Sequence, residues 1–162
     1  MKRLILIRHS KSSWKDFSLT DFNRPLNGRG KSDGPLMAFY LSNRITMVDY
    51  LHSSSSVRTF ETSKYFINQI KFGKIQYDDS LYHSSSSSLL NIIMNYSDDY
   101  QSVMVIAHNP GLTNLINNIT NISLDNLPTT GLVEIEFKIN HWSNISSENS
   151  NVIDLKFPKQ LK

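Results

Sequence analysis

The 162-residue chain contains no cysteine. That excludes disulfides, thiolate metal sites and a cysteine nucleophile together, and it fits a reducing compartment. No apolar run approaches the roughly 20 residues that cross a bilayer. The apolar stretch at residues 4–7 is short and ends at Arg8, so it reads as a buried strand and not as a secretory signal. Runs of five or more like charges are also missing, because basic and acidic residues are interspersed. The net charge of +3 therefore does not mark a nucleic-acid surface. An anion-binding cleft accounts for it equally well. The expected location is the cytoplasm, with no membrane and no nucleic-acid partner.

What is present is an ordinary globular composition, 39% hydrophobic and 10% aromatic, in a length that suits one domain over residues 1–162. Aliphatic runs at residues 4–7, 48–51 and 103–107 read as central strands covered on both faces. Helical spacing appears at 31–43, 57–70, 89–96 and 112–119, and a shorter strand is expected near 75–77. Alternating strands and helices predict an α/β fold, a three-layer α/β/α sandwich on a mostly parallel sheet. Residues 132–139 alternate as a strand with one polar face, pairing with a strand at 152–157 across a polar, mobile loop at 140–151. The serine runs at 53–56 and 84–88 fall between strand-like and helical segments, where serine caps helices well.

Two histidines stand out. His9, in Arg8-His9-Ser10, follows the first strand directly, and His108, in Ala107-His108-Asn109-Pro110-Gly111, follows the strongest central one. Open α/β sheets bind ligands beyond the carboxyl ends of their strands, so both histidines are placed for chemistry. Arg58 opens the helix after the first serine run, joining a guanidinium fork to free backbone N–H groups, a good phosphate cradle. A metal site is a poor alternative. No third ligand stands at a convincing spacing, and the arginines repel a cation.

Several segments together resemble the SixA-type phosphohistidine phosphatases, a compact branch of the histidine phosphatase superfamily. They are Arg8-His9-Ser10-Lys11-Ser12-Ser13-Trp14, then Asp21-Phe22-Asn23-Arg24-Pro25-Leu26-Asn27 with Gly30, and Ser53 through Thr62 around Arg58. Leu81-Tyr82, His108-Asn109-Pro110-Gly111-Leu112 and Leu127-Pro128-Thr129-Thr130-Gly131 complete the likeness, which covers nearly the whole chain. It implies a phosphoglycerate mutase-like fold without a large cap insertion, and a cofactor-free, monomeric hydrolase. His9 would be the nucleophile of a covalent phosphohistidine intermediate, and Arg8, Arg58 and His108 would neutralise the phosphoryl oxygens. Asn109 would add its backbone N–H. Ser10 stands where the family usually carries Gly or Ala, and its hydroxyl is expected to touch the phosphate.

Other branches supply a proton-donating carboxylate from the stretch matching Leu81-Tyr82-His83-Ser84. Here it holds His83 and no carboxylate. Asp21, Arg24 and Pro25 are expected to shape a loop over the site, with Trp14 walling the cleft or anchoring that loop. The favoured partner is a protein carrying phosphohistidine. The alternatives are a small-molecule phosphomonoesterase, or a phospho-ligand binding module without turnover.

Overall fold

The computed structural model describes residues 1–162. Its first strand, β1 (Lys2–Arg8), shows why a strand needs no polar face when layers lie on both sides. Leu4 and Leu6 enter one hydrophobic core and Ile5 and Ile7 the other, since successive side chains alternate. In chain order there follow α1 (Gly28–Ser42), β2 (Met47–Ser54), α2 (Val57–Ile67), β3 (Lys71–Asp78) and α3 (Ser86–Met94). Then come β4 (Ser102–Ala107), α4 (Gly111–Ile119), β5 (Leu132–Phe137) and β6 (Ser150–Lys156).

The strands form one sheet in the order β3-β2-β4-β1-β5-β6. β3, β2, β4 and β1 run parallel, and β5 and β6 are antiparallel to their neighbours. One core packs Met37, Ala38 and Leu41 of α1 and Phe66 of α2 against the sheet. The other packs Leu89 and Ile93 of α3 and Leu112, Leu115 and Ile116 of α4 against the opposite face. This is the expected three-layer sandwich, and no large insertion interrupts it.

Two expectations need correction. The polar face of β5 is partly buried: Glu134 is only 2% exposed and pairs with Arg44 at 3.2 Å and Arg3 at 3.5 Å, while Glu136 is half-buried beside Arg3. The segment expected as a loop at 140–151 holds two short 3-10 turns, Trp142–Asn144 and Ser147–Asn149, and enters β6 at Ser150. Trp142 explains the difference: its ring is fully buried and its Nε1–H donates to the Tyr100 carbonyl at 3.0 Å. One large aromatic anchors a segment that its composition alone would leave unattached.

A helix start and a helix approach depend on glycine. A Cβ on Gly30 would lie 2.2 Å from the Lys11 carbonyl oxygen, and one on Gly111 would lie 2.0 Å from that of Ser84. Only glycine lets α1 reach the loop after β1, and α4 reach the loop before α3.

Candidate active site

Sheet order does the first part of the assembly. β1 and β4 are parallel neighbours with Arg8 opposite Ala107, so the next residue of each strand is a histidine. The rings of His9 and His108 lie 5.1 Å apart. β2 borders β4 on its other side and leads through Ser56 into α2, whose second residue is Arg58. Three carboxyl ends of neighbouring strands thus deliver His9, His108 and Arg58 to one place.

The hydrogen bonds assign the tautomers. His9 Nδ1 faces the Ser10 carbonyl at 2.8 Å, which accepts only, so Nδ1 carries the proton and Nε2 the lone pair. Arg58 Nε–H donates to that Nε2 at 3.4 Å. His108 is the mirror case: Arg58 Nη2 donates to Nδ1 at 3.4 Å, and Nε2–H donates to Ser54 Oγ at 2.8 Å. Burial lowers the pKa of His9 to about 3, with Arg58, Arg8 and Arg24 pushing the same way against the Ser10 hydrogen bond. Burial, then His9, Arg58 and His83, lower that of His108 to about 2, opposed by Asp21. Both imidazoles are neutral at pH 7.

Arg58 is 2% exposed and has two working edges. Its outer edge is held by Asp21, whose carbonyl accepts from Nη1 at 2.7 Å and whose carboxylate accepts from Nη2 at 3.0 Å. Its inner edge, Nε and Nη2, is turned to the lone pairs of His9 and His108. Two lone pairs facing two N–H groups leave no strong bond to break, and the fork suits two oxygens of a tetrahedral oxyanion. Arg8 lies on the same side, tied to the Leu127 carbonyl at 3.0 Å through Nη1, while its buried Nε has no partner. Burial, then Arg29 and Arg58, lower its pKa. No three His, Asp or Glu side chains converge as metal ligands. Buried guanidinium and imidazole groups suit an anion better than a cation.

Other expected residues have different places. Ser10 is fully buried; its hydroxyl accepts from Thr130 Oγ1 at 2.8 Å and its N–H donates to Thr62 Oγ1 at 2.9 Å. It therefore fixes the end of β1 and, through its carbonyl, the His9 ring, with its hydroxyl turned to Thr130. The Asn109 side chain is likewise committed, accepting from Thr113 N at 3.1 Å and donating to the Leu127 carbonyl at 2.9 Å. Ser56 occupies the N-cap of α2 without a side-chain cap bond, whereas Ser85 caps α3 by accepting from Ser88 N at 3.2 Å. Trp14 is 62% exposed beneath the Arg24 guanidinium, 3.5 Å from its ring centre.

The sequence assigns Asp21 to loop shape, marks His83 as standing where other branches carry a carboxylate, and gives Tyr82 and Ser54 no separate role. The structure brings all four to the site. Asp21 Oδ2 accepts from Tyr82 OH and Arg58 Nη2, with His83 Nε2 3.2 Å away, and Oδ1 accepts from Arg24 Nε at 3.1 Å. Its pKa stays below the ordinary carboxylate range despite the opposing push of burial, because Tyr82, Arg58 and Arg24 all donate to it. Nothing in the spacing signals this, since Asp21 lies 37 residues from Arg58 and 61 from Tyr82.

Comparison with known proteins came to the same region of fold space. No protein-family model matches the chain. An uncharacterized chloroplastic protein of Arabidopsis thaliana is 35% identical over 120 residues, 68% of this chain. The match covers 55% of that protein, so the chain spans about half its length. A structure described as phosphohistidine phosphatase SixA from Agrobacterium tumefaciens superimposes with a TM-score of 0.81 at 26% identity, covering 97% of this chain and 98% of that one. The protein histidine phosphatase SixA complexed with tungstate gives 0.80 at 18% identity over 99% of both chains. No helix of the chain is long and apolar enough to cross a membrane. By fold, the chain is similar to the SixA phosphohistidine phosphatases, hydrolases of the histidine phosphatase superfamily.

Proposed function

We propose that the protein hydrolyses phosphohistidine on a protein partner by passing the phosphoryl group through its own His9. One observation carries this reading: a neutral His9, its Nδ1–H tied to the Ser10 carbonyl, presents the Nε2 lone pair beside the inner edge of Arg58. A nucleophile needs that lone pair, and a phosphoryl group needs that fork.

In the first step Nε2 attacks phosphorus while the bond to the substrate nitrogen breaks, its electron pair staying on the departing imidazole, which takes up a proton. Arg58 Nε and Nη2, with Arg8, bind the oxygens as charge spreads over them. A dianion between His9 and His108 opposes the effects that keep His108 neutral, so His108 gains a proton and donates from Nδ1 to an oxygen. In the second step water attacks phosphorus, the bond to His9 breaks, and phosphate leaves with His9 neutral again. The Asn109 backbone N–H is a further donor in this scheme. All the charge stabilisation comes from side chains and backbone, and the scheme uses no cofactor.

A protein substrate is supported by the site's open surroundings. Trp14 and Phe17 (93% exposed) stand on the loop that carries Asp21. Two exposed aromatics on one loop offer apolar surface to a partner. Tungstate on a SixA relative is a tetrahedral oxyanion of the shape this site is read to take. The reading places a monomeric enzyme in the cytoplasm, where a chain without cysteine is at ease.

The test is to quench turnover of a labelled phosphohistidine protein and locate the label. It should sit on His9 in an acid-labile, alkali-stable bond. His9→Ala should lose essentially all turnover, and chelators should leave the wild type unaffected. Near-normal turnover by His9→Ala, or its loss on chelation, would overturn the reading.

A further inference from the structure

His83 follows Tyr82 on the segment before α3, and the structure shows how this histidine is prepared for chemistry. His83 holds a φ of 51°, a left-handed backbone conformation uncommon outside glycine. Such conformations persist where the surroundings over-determine them, and they cluster at functional sites. The surroundings here are specific. The ring stacks on Tyr82 with centroids 4.0 Å apart and planes within 18°, and its centroid is 5.6 Å from that of His108. Nε2 takes the polar contacts, 3.2 Å from Asp21 Oδ2 and 3.5 Å from Arg58 Nη2, while the side chain stays 55% exposed. An open cleft of about 280 Å³, lined by His83, Ser84, Asn109 and Pro110, adjoins it.

We infer that His83, oriented by Asp21, is the proton donor to the leaving group. The inference rests on the phosphatase reading above and adds a catalytic residue to it. Asp21 pairs with the imidazolium through Nε2 at 3.2 Å, which leaves Nδ1 as the nitrogen that gives up a proton. As the bond from phosphorus to the leaving atom breaks, its electron pair stays on that atom and takes the Nδ1 proton. The phosphoryl group bonds to His9 Nε2, and neutral His83 keeps its Nε2–H. In the second step Nδ1 recovers a proton from the attacking water. The charged groups facing His83 are Asp21 from its turn, Arg58 from α2 and, when protonated, His108 from the β4–α4 loop, with Tyr82 beside it on its own segment.

A series of aryl phosphates with progressively more basic phenols tests this, because a proton donor matters most for the poorest leaving group. In the wild type, kcat/KM should fall only gently along the series. His83→Gln should leave the most acidic phenol nearly untouched and lose ~10²–10⁴-fold at the most basic one. Added imidazole should restore turnover of the basic members by His83→Ala. A loss equal across the series, which a merely structural role would give, or no loss at all, overturns the assignment. A wild type inactive on every member but active on the phosphohistidine protein would overturn the assignment, and one inactive on both would overturn the phosphatase reading itself.

Discussion

Asp21 grips Arg58 twice, its carbonyl accepting from Nη1 at 2.7 Å and its carboxylate from Nη2 at 3.0 Å. The grip uses the outer edge of the guanidinium and so aims the inner edge at the histidines. Arginine can serve both sides because its five donors lie in one rigid plane.

Asp21→Ala should therefore lower kcat/KM by about 10²-fold, the scale of a misplaced catalytic group. The comparison belongs on an aryl phosphate with an acidic phenol, where proton donation contributes little. Asp21→Asn keeps the backbone carbonyl and a side-chain acceptor, so it should recover part of the loss. Equal activity in all three proteins would mean that Arg58 holds its pose unaided.

Stability should fall as the solution is acidified below pH ~6.5, before carboxylates begin to titrate. His9 and His108 are 7% and 3% exposed, with pKa values lowered to about 3 and about 2, so the unfolded chain binds protons that the folded chain refuses. A depressed folded value means that the full contribution is present above the unfolded value and is lost as pH falls toward the folded one. Each histidine contributes a slope of up to about 1.4 kcal/mol per pH unit in that window. His52, lowered by burial against the pull of Asp78, acts in the same direction. Urea denaturation at several pH values between 4.5 and 7.5 measures the slope, and His9→Asn should remove one histidine's share. A flat profile would contradict the buried, neutral state of both rings.

Gly111→Ala should cost about 1–3 kcal/mol, the range for forcing an atom into a packed site. The added Cβ would meet the Ser84 carbonyl oxygen at 2.0 Å, and backbone cannot swing away as a side-chain tip can. Ser84 follows His83, so activity on basic leaving groups should fall along with stability. Gly28→Ala has nothing within 4 Å and is the control, neutral or slightly stabilising. Equal stability for both variants would show that the approach of α4 to Ser84 is not tight.

The sequence alone determined the layers and two of the reactive side chains. Runs such as residues 4–7 and 103–107 are apolar at every position, which suits only strands covered on both faces; His108 follows the second directly, and Arg8 then His9 follow the first. Local order also placed Arg58 at the start of α2. Tertiary structure decided everything that depended on approach between distant segments. The strand order set His9 beside His108, and folding brought Asp21, Tyr82 and His83 around Arg58. It also took the Ser10 hydroxyl to Thr130, 120 residues away, and buried Trp142 in a stretch that reads as loop. The physical reason is range. Hydrophobic periodicity is written in consecutive residues, whereas a hydrogen bond is set by angstroms between groups whose separation along the chain carries no signal.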